Sequence, residues 1–311
     1  MGQLPEVLAI VGPTAIGKTE VGIRVATELD GEIISADARQ IYRYLNIGTA
    51  KPSSGEMRNI PHHMIDVVEP GEYFSAGKFG ELGREHAADI LTRGKTPIVV
   101  GGSGLYVRSL LDGLIEGNAR DDLVRENISQ EIKDFGIQSV YDRLMEIDSD
   151  YAENISPNDE VRIVRALEVY TLTGKTLTES FSDQNSSPHL NTLFAGLMMN
   201  REELVSRIEE RVDKMIKDGL VDEVAKLIES GYAEKLKKLQ TIGYSEVIEH
   251  LEGRINESTM LSEIKKHSRR YAKHQMTWFR SDSRIHWIDV GEISDPASQI
   301  IEYWNNRTAL N

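Results

Sequence analysis

The segment Gly12-Pro13-Thr14-Ala15-Ile16-Gly17-Lys18-Thr19 narrows the possible folds of this chain more than any other stretch. It has the pattern G-x-x-x-x-G-K-[ST]. Before it runs the apolar stretch Val7 to Val11, and after it comes Glu20 to Leu29, with Val21, Val25 and Leu29 at helical spacing. A strand that passes through a glycine turn into a helix points backbone N–H groups and the helix N-terminus at a bound phosphate. Lys18 adds a cation there, and the Thr19 hydroxyl can ligate Mg²⁺. A plain glycine-rich turn is the structural alternative, and the flanking strand and helix argue against it.

The rest of the first hundred residues continues the alternation. Ile33-Ile34-Ser35 reads as a second strand, Gly80 to Arg93 as a helix and Ile98-Val99-Val100 as a further strand. The expected class is α/β: a P-loop-containing parallel sheet flanked by helices. The 311 residues suffice for two domains, or for one core carrying an insertion. At Asp112 the character changes. From there to Glu160 run 14 acidic and four basic residues with helical patterns and no strand-like run, so an all-helical insertion domain is expected. Val161 to Thr173 reads as a helix and Ser180 to Pro188 as a loop. Leu193 to Leu197 reads as a strand returning to the sheet. Leu204, Ile208, Val212, Met215, Val224 and Leu227 read as one long periodic helix, with more helices to the C-terminus.

Composition sets limits on chemistry. The chain has no cysteine, which removes disulfides and thiolate nucleophiles and suits a reducing compartment. Met1 to Glu6 has no leader character and no apolar run is long enough to span a membrane, so a cytoplasmic protein is expected. The net charge of −14 speaks, as an average, against a general nucleic-acid binder. A small-molecule kinase would be the obvious reading of the phosphate loop. However, Val100 leads into Gly101-Gly102-Ser103-Gly104, where a hydrolytic P-loop protein normally ends a strand in an Mg²⁺-binding Asp. An acid does end the second strand: Asp37, placed as a base, a metal ligand or the N-cap of a following helix. His62 and His63 are adjacent, so their side chains diverge; a structural or substrate-shell role is expected rather than zinc.

Taken in order, the motifs resemble the tRNA dimethylallyltransferases, also called tRNA isopentenyltransferases, over nearly the whole chain. They are Gly12 to Thr19; Ser35-Ala36-Asp37-Ala38-Arg39-Gln40-Ile41-Tyr42-Arg43; Asn46 to Pro52; His62 to Asp66; Tyr73 to Ala76; and Gly101 to Tyr106. The second half adds Arg162 to Val169, Ile242-Gly243-Tyr244 and Arg270 to Arg280. The resemblance implies transfer of a dimethylallyl group from dimethylallyl diphosphate to N6 of the adenosine 3′ to the anticodon, in the anticodon stem-loop of a tRNA, by a monomer. Asp37 would be the catalytic acid/base, with Lys18 and Thr19 also catalytic through the charge they stabilise on the leaving diphosphate. Gly12, Pro13, Thr14, Ala15, Ile16, Gly17, Lys18, Thr19 and Arg211 would hold the diphosphate, with Mg²⁺ on Thr19. Arg211 is open to a second reading as part of a solvated basic face with Arg207.

Residues 1–112 would form the first part of the catalytic core, 113–190 a helical domain binding tRNA, and 191–311 the rest of the core with a helical tRNA-binding region. The resemblance puts Asp37, Ala38, Arg39, Gln40, Ser103 and Arg125 against tRNA. It adds Val161, Arg162, Ile163, Val164 and Arg165, then Gln240, Thr241, Ile242, Gly243 and Tyr244. Finally come Lys273, His274, Gln275, Thr277, Trp278 and Arg280. Arg162 and Arg165 lie three residues apart, suited to two phosphates or to pairing with Glu160 and Glu168. Lys265 to Arg284 carries seven Lys/Arg and one acid, with Tyr271, Trp278 and Phe279 interleaved, a composition suited to single-stranded loops. Trp278 could equally be core. The chain departs from the family in three places: Ser103 where many members have Thr, His274 where many have Arg, and Ala38 where others have Ser. A relative acting on free adenylate would share the P-loop half without this C-terminal region.

Overall fold

The computed structural model describes residues 6–114, 121–183 and 190–308. Its first strand, β1 (Val7–Val11), is buried along its whole length. A strand with both faces covered fits the middle of a parallel sheet. From it the chain turns through the phosphate loop into α1 (Lys18–Glu28) and returns as β2 (Gly31–Ala36). A two-residue strand β3 (His62–His63), the helix α2 (Ala76–Thr92), β4 (Thr96–Gly101) and α3 (Gly104–Leu111) complete the first part. Helix α2 starts four residues before the expected Gly80, where the Ser75 side chain accepts the Lys78 N–H and caps it.

The described residues split into two compact units, Met1–Asp112 with His189–Asn311, and Gly113–Pro188. The second is helical throughout its described residues: α4 (Asp122–Phe135), α5 (Ile137–Ile147), α6 (Ser149–Ala152), α7 (Glu160–Thr173) and α8 (Leu177–Asp183). It has its own apolar core around Val140, Leu144, Ile163 and Leu167. Buried in it is Glu168, whose carboxylate takes the Arg125 guanidinium at 2.7 and 2.9 Å and Arg165 Nη1 at 2.7 Å. Burial opposes ionisation there, but the two arginines and the Asp121 amide outweigh it and hold the carboxyl at about 2.

The first unit resumes with β5 (Thr192–Met198), then α9 (Arg201–Lys217), α10 (Leu220–Glu229), α11 (Ala233–Leu239), α12 (Tyr244–Leu251), α13 (Glu257–Arg280), β6 (Ile285–Asp289) and α14 (Pro296–Thr308). The six strands pair in the order β3-β2-β4-β1-β5-β6, and every pairing is parallel. Alternate residues of β1 enter opposite cores. Val7, Ala9 and Val11 face α2, α3 and the C-terminal helices, while Leu8 and Ile10 pack with Ile23 of α1 and Ile300 and Trp304 of α14. Because all strands run one way, their carboxyl ends share one edge.

The α/β class is as expected, and three local readings change. The long helix breaks into α9 and α10 at Gly219, whose φ of 97° ends one helix and opens the next. Continuous apolar spacing conceals that break. The C-terminal region is not wholly helical: Ile285–Asp289 is an edge strand on β5, too short to show a period. Helix α8 takes up the first residues of the expected loop, Ser180–Asp183; the remainder, 184–188, lies outside the described residues.

Helices α10 and α12 brace the segment after β2. Glu223 accepts the N–H groups of Ile47 at 2.9 Å and Asn46 at 3.3 Å, and the hydroxyl of Tyr244, which is itself fully buried. Gly48 lies against the Tyr244 ring with no room for a Cβ. Tyr244→Phe should therefore cost about 1.5–3 kcal/mol, because it removes a hydrogen bond to a carboxylate. Gly48→Ala should cost about 1–3 kcal/mol by overpacking. Urea denaturation of the full chain measures both; unchanged midpoints would show that the brace contributes no stability.

Candidate active site

Three strands deliver the site at their carboxyl ends. β1 leads into the loop Gly12–Gly17, β2 into Asp37–Gln40 and β4 into Gly102–Ser103. Gly12 has φ 151°, and a Cβ there would come within 2.7 Å of the Leu197 carbonyl oxygen on β5. Only glycine lets the loop leave the sheet that close to its neighbour. Ser103 fastens the β2 turn to the β4 turn: its hydroxyl accepts the Ala38 N–H at 2.9 Å, and its own N–H reaches the Ala36 carbonyl at 3.2 Å. Asp37 Oδ1 accepts the N–H groups of Arg39 at 2.8 Å and Gln40 at 3.2 Å. Asp37 thus caps a turn; it is not a helix N-cap, since the next helix begins at Ala76. Gln40 turns inward and donates to the carbonyls of Thr49 and Ala50.

Two cavities meet here. One, of about 600 Å³, is lined by Lys18, Thr19, Asp37, Lys51, Arg211 and Gln275 among others. The second, of about 370 Å³, is lined by Ala38, Arg39, Thr49, Ile208, Val212 and the segment Gln240–Gly243 among others. Thr14, Ala15, Asp37, Arg211, Met215 and Tyr271 line both. Asp37 therefore stands at the junction, reachable from either side.

The electrostatics favour an anion. Lys18 Nζ donates to the Pro13 carbonyl at 2.7 Å, folded back on its own loop. Removal from water pushes its ammonium down to about 7; neighbouring Arg211 pushes the same way, and Asp37 opposes them. The Arg211 guanidinium is lowered by the same loss of hydration, again opposed by Asp37. Lys18 and Arg211 are both held away from water with Asp37 as the acid that favours their charge, and a polyanion bound between them would relieve that cost. A solvated face with Arg207 is not what forms: Arg207 pairs with Glu203 at 2.9 Å, while Arg211 lies in the cavity and reaches the Thr49 carbonyl at 3.4 Å.

Most of the expected residues of this unit gather at the two cavities. Pro13 and Ile16 are buried beneath the loop, and Gly17 starts α1 with φ 97°. Lys273, His274, Thr277 and Arg280 lie on the exposed side of α13. Trp278 is 41% exposed, and its indole lies against Gly104, so it is neither core nor fully presented. The other unit carries Val161, 80% exposed, and Arg162, also exposed and paired with Asp159. Arg125 and Arg165 converge on Glu168.

Several residues expected at the RNA are buried in the structure. The side chains of Ile163 and Val164 belong to the helical unit's core, Thr241 is 3% exposed, and Tyr244 is sealed under Glu223. Gln275 is buried with both ends of its amide engaged inside the protein. Thr241 and Gln275 nevertheless line the two cavities, whereas Tyr244, Ile163 and Val164 line neither. Sequence reasoning left Tyr271 out of the site, although it lines both cavities; burial raises its phenol, and so does Asp37. Its place in the basic-aromatic run was the available signal. His62 lines the larger cavity, with Nδ1 on the Ile60 carbonyl at 2.8 Å and Nε2 buried without a partner.

Comparison with known proteins agrees with this geometry. A sequence model of the family described as IPP transferase matches residues 40–282, and one described as isopentenyl transferase matches residues 5–67. The chain is 45% identical to the tRNA dimethylallyltransferase of Syntrophomonas wolfei subsp. wolfei, covering 92% of each chain. It is 44% identical to tRNA dimethylallyltransferase 1 of Pelobacter propionicus, covering 93% of this chain and 94% of that one. Among solved structures it resembles the full-length tRNA isopentenylpyrophosphate transferase of Bacillus halodurans, with a TM-score of 0.74 at 37% identity over 98% and 97% of the two chains. It also resembles a eukaryotic dimethylallyltransferase acting on tRNA, with a TM-score of 0.85 at 28% identity over 97% of this chain and 79% of that one. The phosphate loop, the junction at Asp37 and these matches have one common explanation: the chain belongs to the IPP transferase family.

Proposed function

We propose that this protein transfers a dimethylallyl group from dimethylallyl diphosphate to N6 of the adenosine 3′ to the anticodon of tRNA. The observation that carries the reading is Asp37 at the junction of two cavities, one beside the phosphate loop with Lys18 and Arg211 and one reached from the Gln240–Gly243 segment. The donor's diphosphate would sit on the loop with Lys18 and Arg211. The adenine, lifted out of the anticodon-loop stack, would approach from the second cavity. N6 attacks the allylic carbon as its bond to the diphosphate oxygen breaks, and Asp37 takes the N6 proton. The leaving diphosphate gains charge, which Lys18, Arg211 and the loop N–H groups stabilise. Lys18 exchanges the Pro13 carbonyl for a phosphate oxygen. The exposed face of α13 and the Val161–Arg162 end of α7 would carry the RNA.

Mg²⁺ suits the site as a companion of the diphosphate. The Thr19 hydroxyl supplies a hard oxygen at the same cavity and would hold it. Bound there, it would neutralise diphosphate charge.

Incubation with dimethylallyl diphosphate, Mg²⁺ and either tRNA or AMP, followed by mass spectrometry of nucleosides, tests the assignment. Prenylated adenosine in tRNA is expected. Modification of AMP alone, or ATP turnover without donor, would overturn it. Asp37→Asn keeps the acceptor for the Arg39 and Gln40 amides, so it isolates the base. It should lower kcat by about 10²–10⁴-fold while tRNA affinity stays within a few-fold. Near-normal turnover would remove Asp37 from that role.

The pH dependence follows from Lys18. Its ammonium titrates near 7 in the free protein, and an arriving diphosphate must raise that value. Donor affinity is then complete below pH 7 and weakens above it, by up to tenfold per unit. Isothermal calorimetry in two buffers of different ionisation enthalpy should show proton uptake on diphosphate binding at pH 7.5. Lys18→Met should abolish that uptake, and equal uptake in both proteins would place the titrating group elsewhere.

A further inference from the structure

Gln275 bridges two turns of the site with its side-chain amide. Its Oε1 accepts the Thr14 N–H of the phosphate loop at 2.8 Å, and its Nε2 donates to the Gly102 carbonyl at 2.9 Å. Gly102 has no room for a Cβ because that amide nitrogen occupies the space. The side chain is 6% exposed, on the opposite side of α13 from Lys273, His274 and Thr277. An acceptor and a donor are needed at once, at fixed separation, in a place where little water reaches. Of the side chains of this length, a neutral amide meets that need; a carboxylate would oppose the Gly102 carbonyl.

We propose that Gln275 is a positioning residue for the donor rather than an RNA contact. It fixes Thr14, which lines both cavities, relative to the β4 turn. It thereby ties the phosphate loop to the one long helix whose outer face carries the basic residues. The proposal rests on the loop being the donor's diphosphate site. Its consequence is a division of labour within α13: substitutions on the outer face alter RNA affinity, and substitution of Gln275 alters diphosphate affinity.

The test uses the full chain, with inorganic diphosphate and an anticodon stem-loop RNA as separate probes. Gln275→Met, similar in length but without either bond, should weaken diphosphate binding about tenfold or more and raise the donor KM, with RNA affinity unchanged. Gln275→Glu is the second variant. When ionised it accepts from Thr14 but repels the Gly102 carbonyl; when protonated it accepts and donates as glutamine does. Its diphosphate affinity relative to wild type, measured at each pH so that Lys18 cancels, should recover as pH falls from 8 to 5.5. Because an ionised carboxylate on the cavity wall also repels diphosphate directly, the recovery supports the inference only together with weakened binding by the uncharged Gln275→Met. A flat ratio, or a loss confined to RNA binding, overturns the inference. If the wild type binds no diphosphate at all, the donor-site reading fails instead, a distinguishable result.

Discussion

Lys18 and Arg211 share one cavity with Asp37, and each costs free energy to hold away from water. That arrangement is poor for the empty protein and good for a bound polyanion, which is how stability is exchanged for affinity at a preorganised site. Other features of the core unit serve to keep these charges in place. The parallel sheet brings the ends of β1, β2 and β4 to one edge. Gly12 lets the loop pass against β5, and α9 delivers Arg211 from a helix nearly two hundred residues away in sequence.

Much of the second half supports that edge instead of acting at it. Glu223 and Tyr244 brace the Asn46–Gly48 segment, and Gln275 bridges the phosphate loop and the β4 turn. Burial separates these residues from their neighbours with more resolving power than motif membership does. Within one run of α13, Lys273, His274 and Thr277 face outward while Gln275 faces in. Within Ile242-Gly243-Tyr244, the first two line a cavity and the third is core.

The net charge of −14 is likewise an average over unlike parts. Lys265 to Arg284 carries +6, which leaves −20 for the rest of the chain. An acidic exterior with one basic stretch suits binding of RNA on a restricted surface, with salt dependence through few contacts. Even that stretch is partly committed: Lys265 pairs with Asp213, Arg269 with Glu209, and Arg284 with Asp112 at 2.6 and 2.8 Å.

The sequence alone determined the phosphate loop, the strand-helix alternation around it, the acid at the end of the second strand and the family. Each of these is local: a glycine spacing, a period of apolar residues or an ordered run of motifs. Tertiary structure decided what local pattern cannot encode. Apolar period passed straight through Gly219, because the helices on either side keep compatible spacing although the backbone turns there. The five residues of β6 became a strand only through pairing with β5. Tyr244 and Gln275 sit in functional motifs, and only the tertiary structure shows that both are buried, hydrogen-bonded to Glu223 and to the Thr14 N–H respectively. Asp37 could be recognised as an acid at a strand end, but its place between two cavities depends on Arg211, Tyr271 and the Gln240–Gly243 segment arriving from the far half of the chain. A junction between cavities is a property of several chain segments at once, so packing decides it and no single stretch of residues records it.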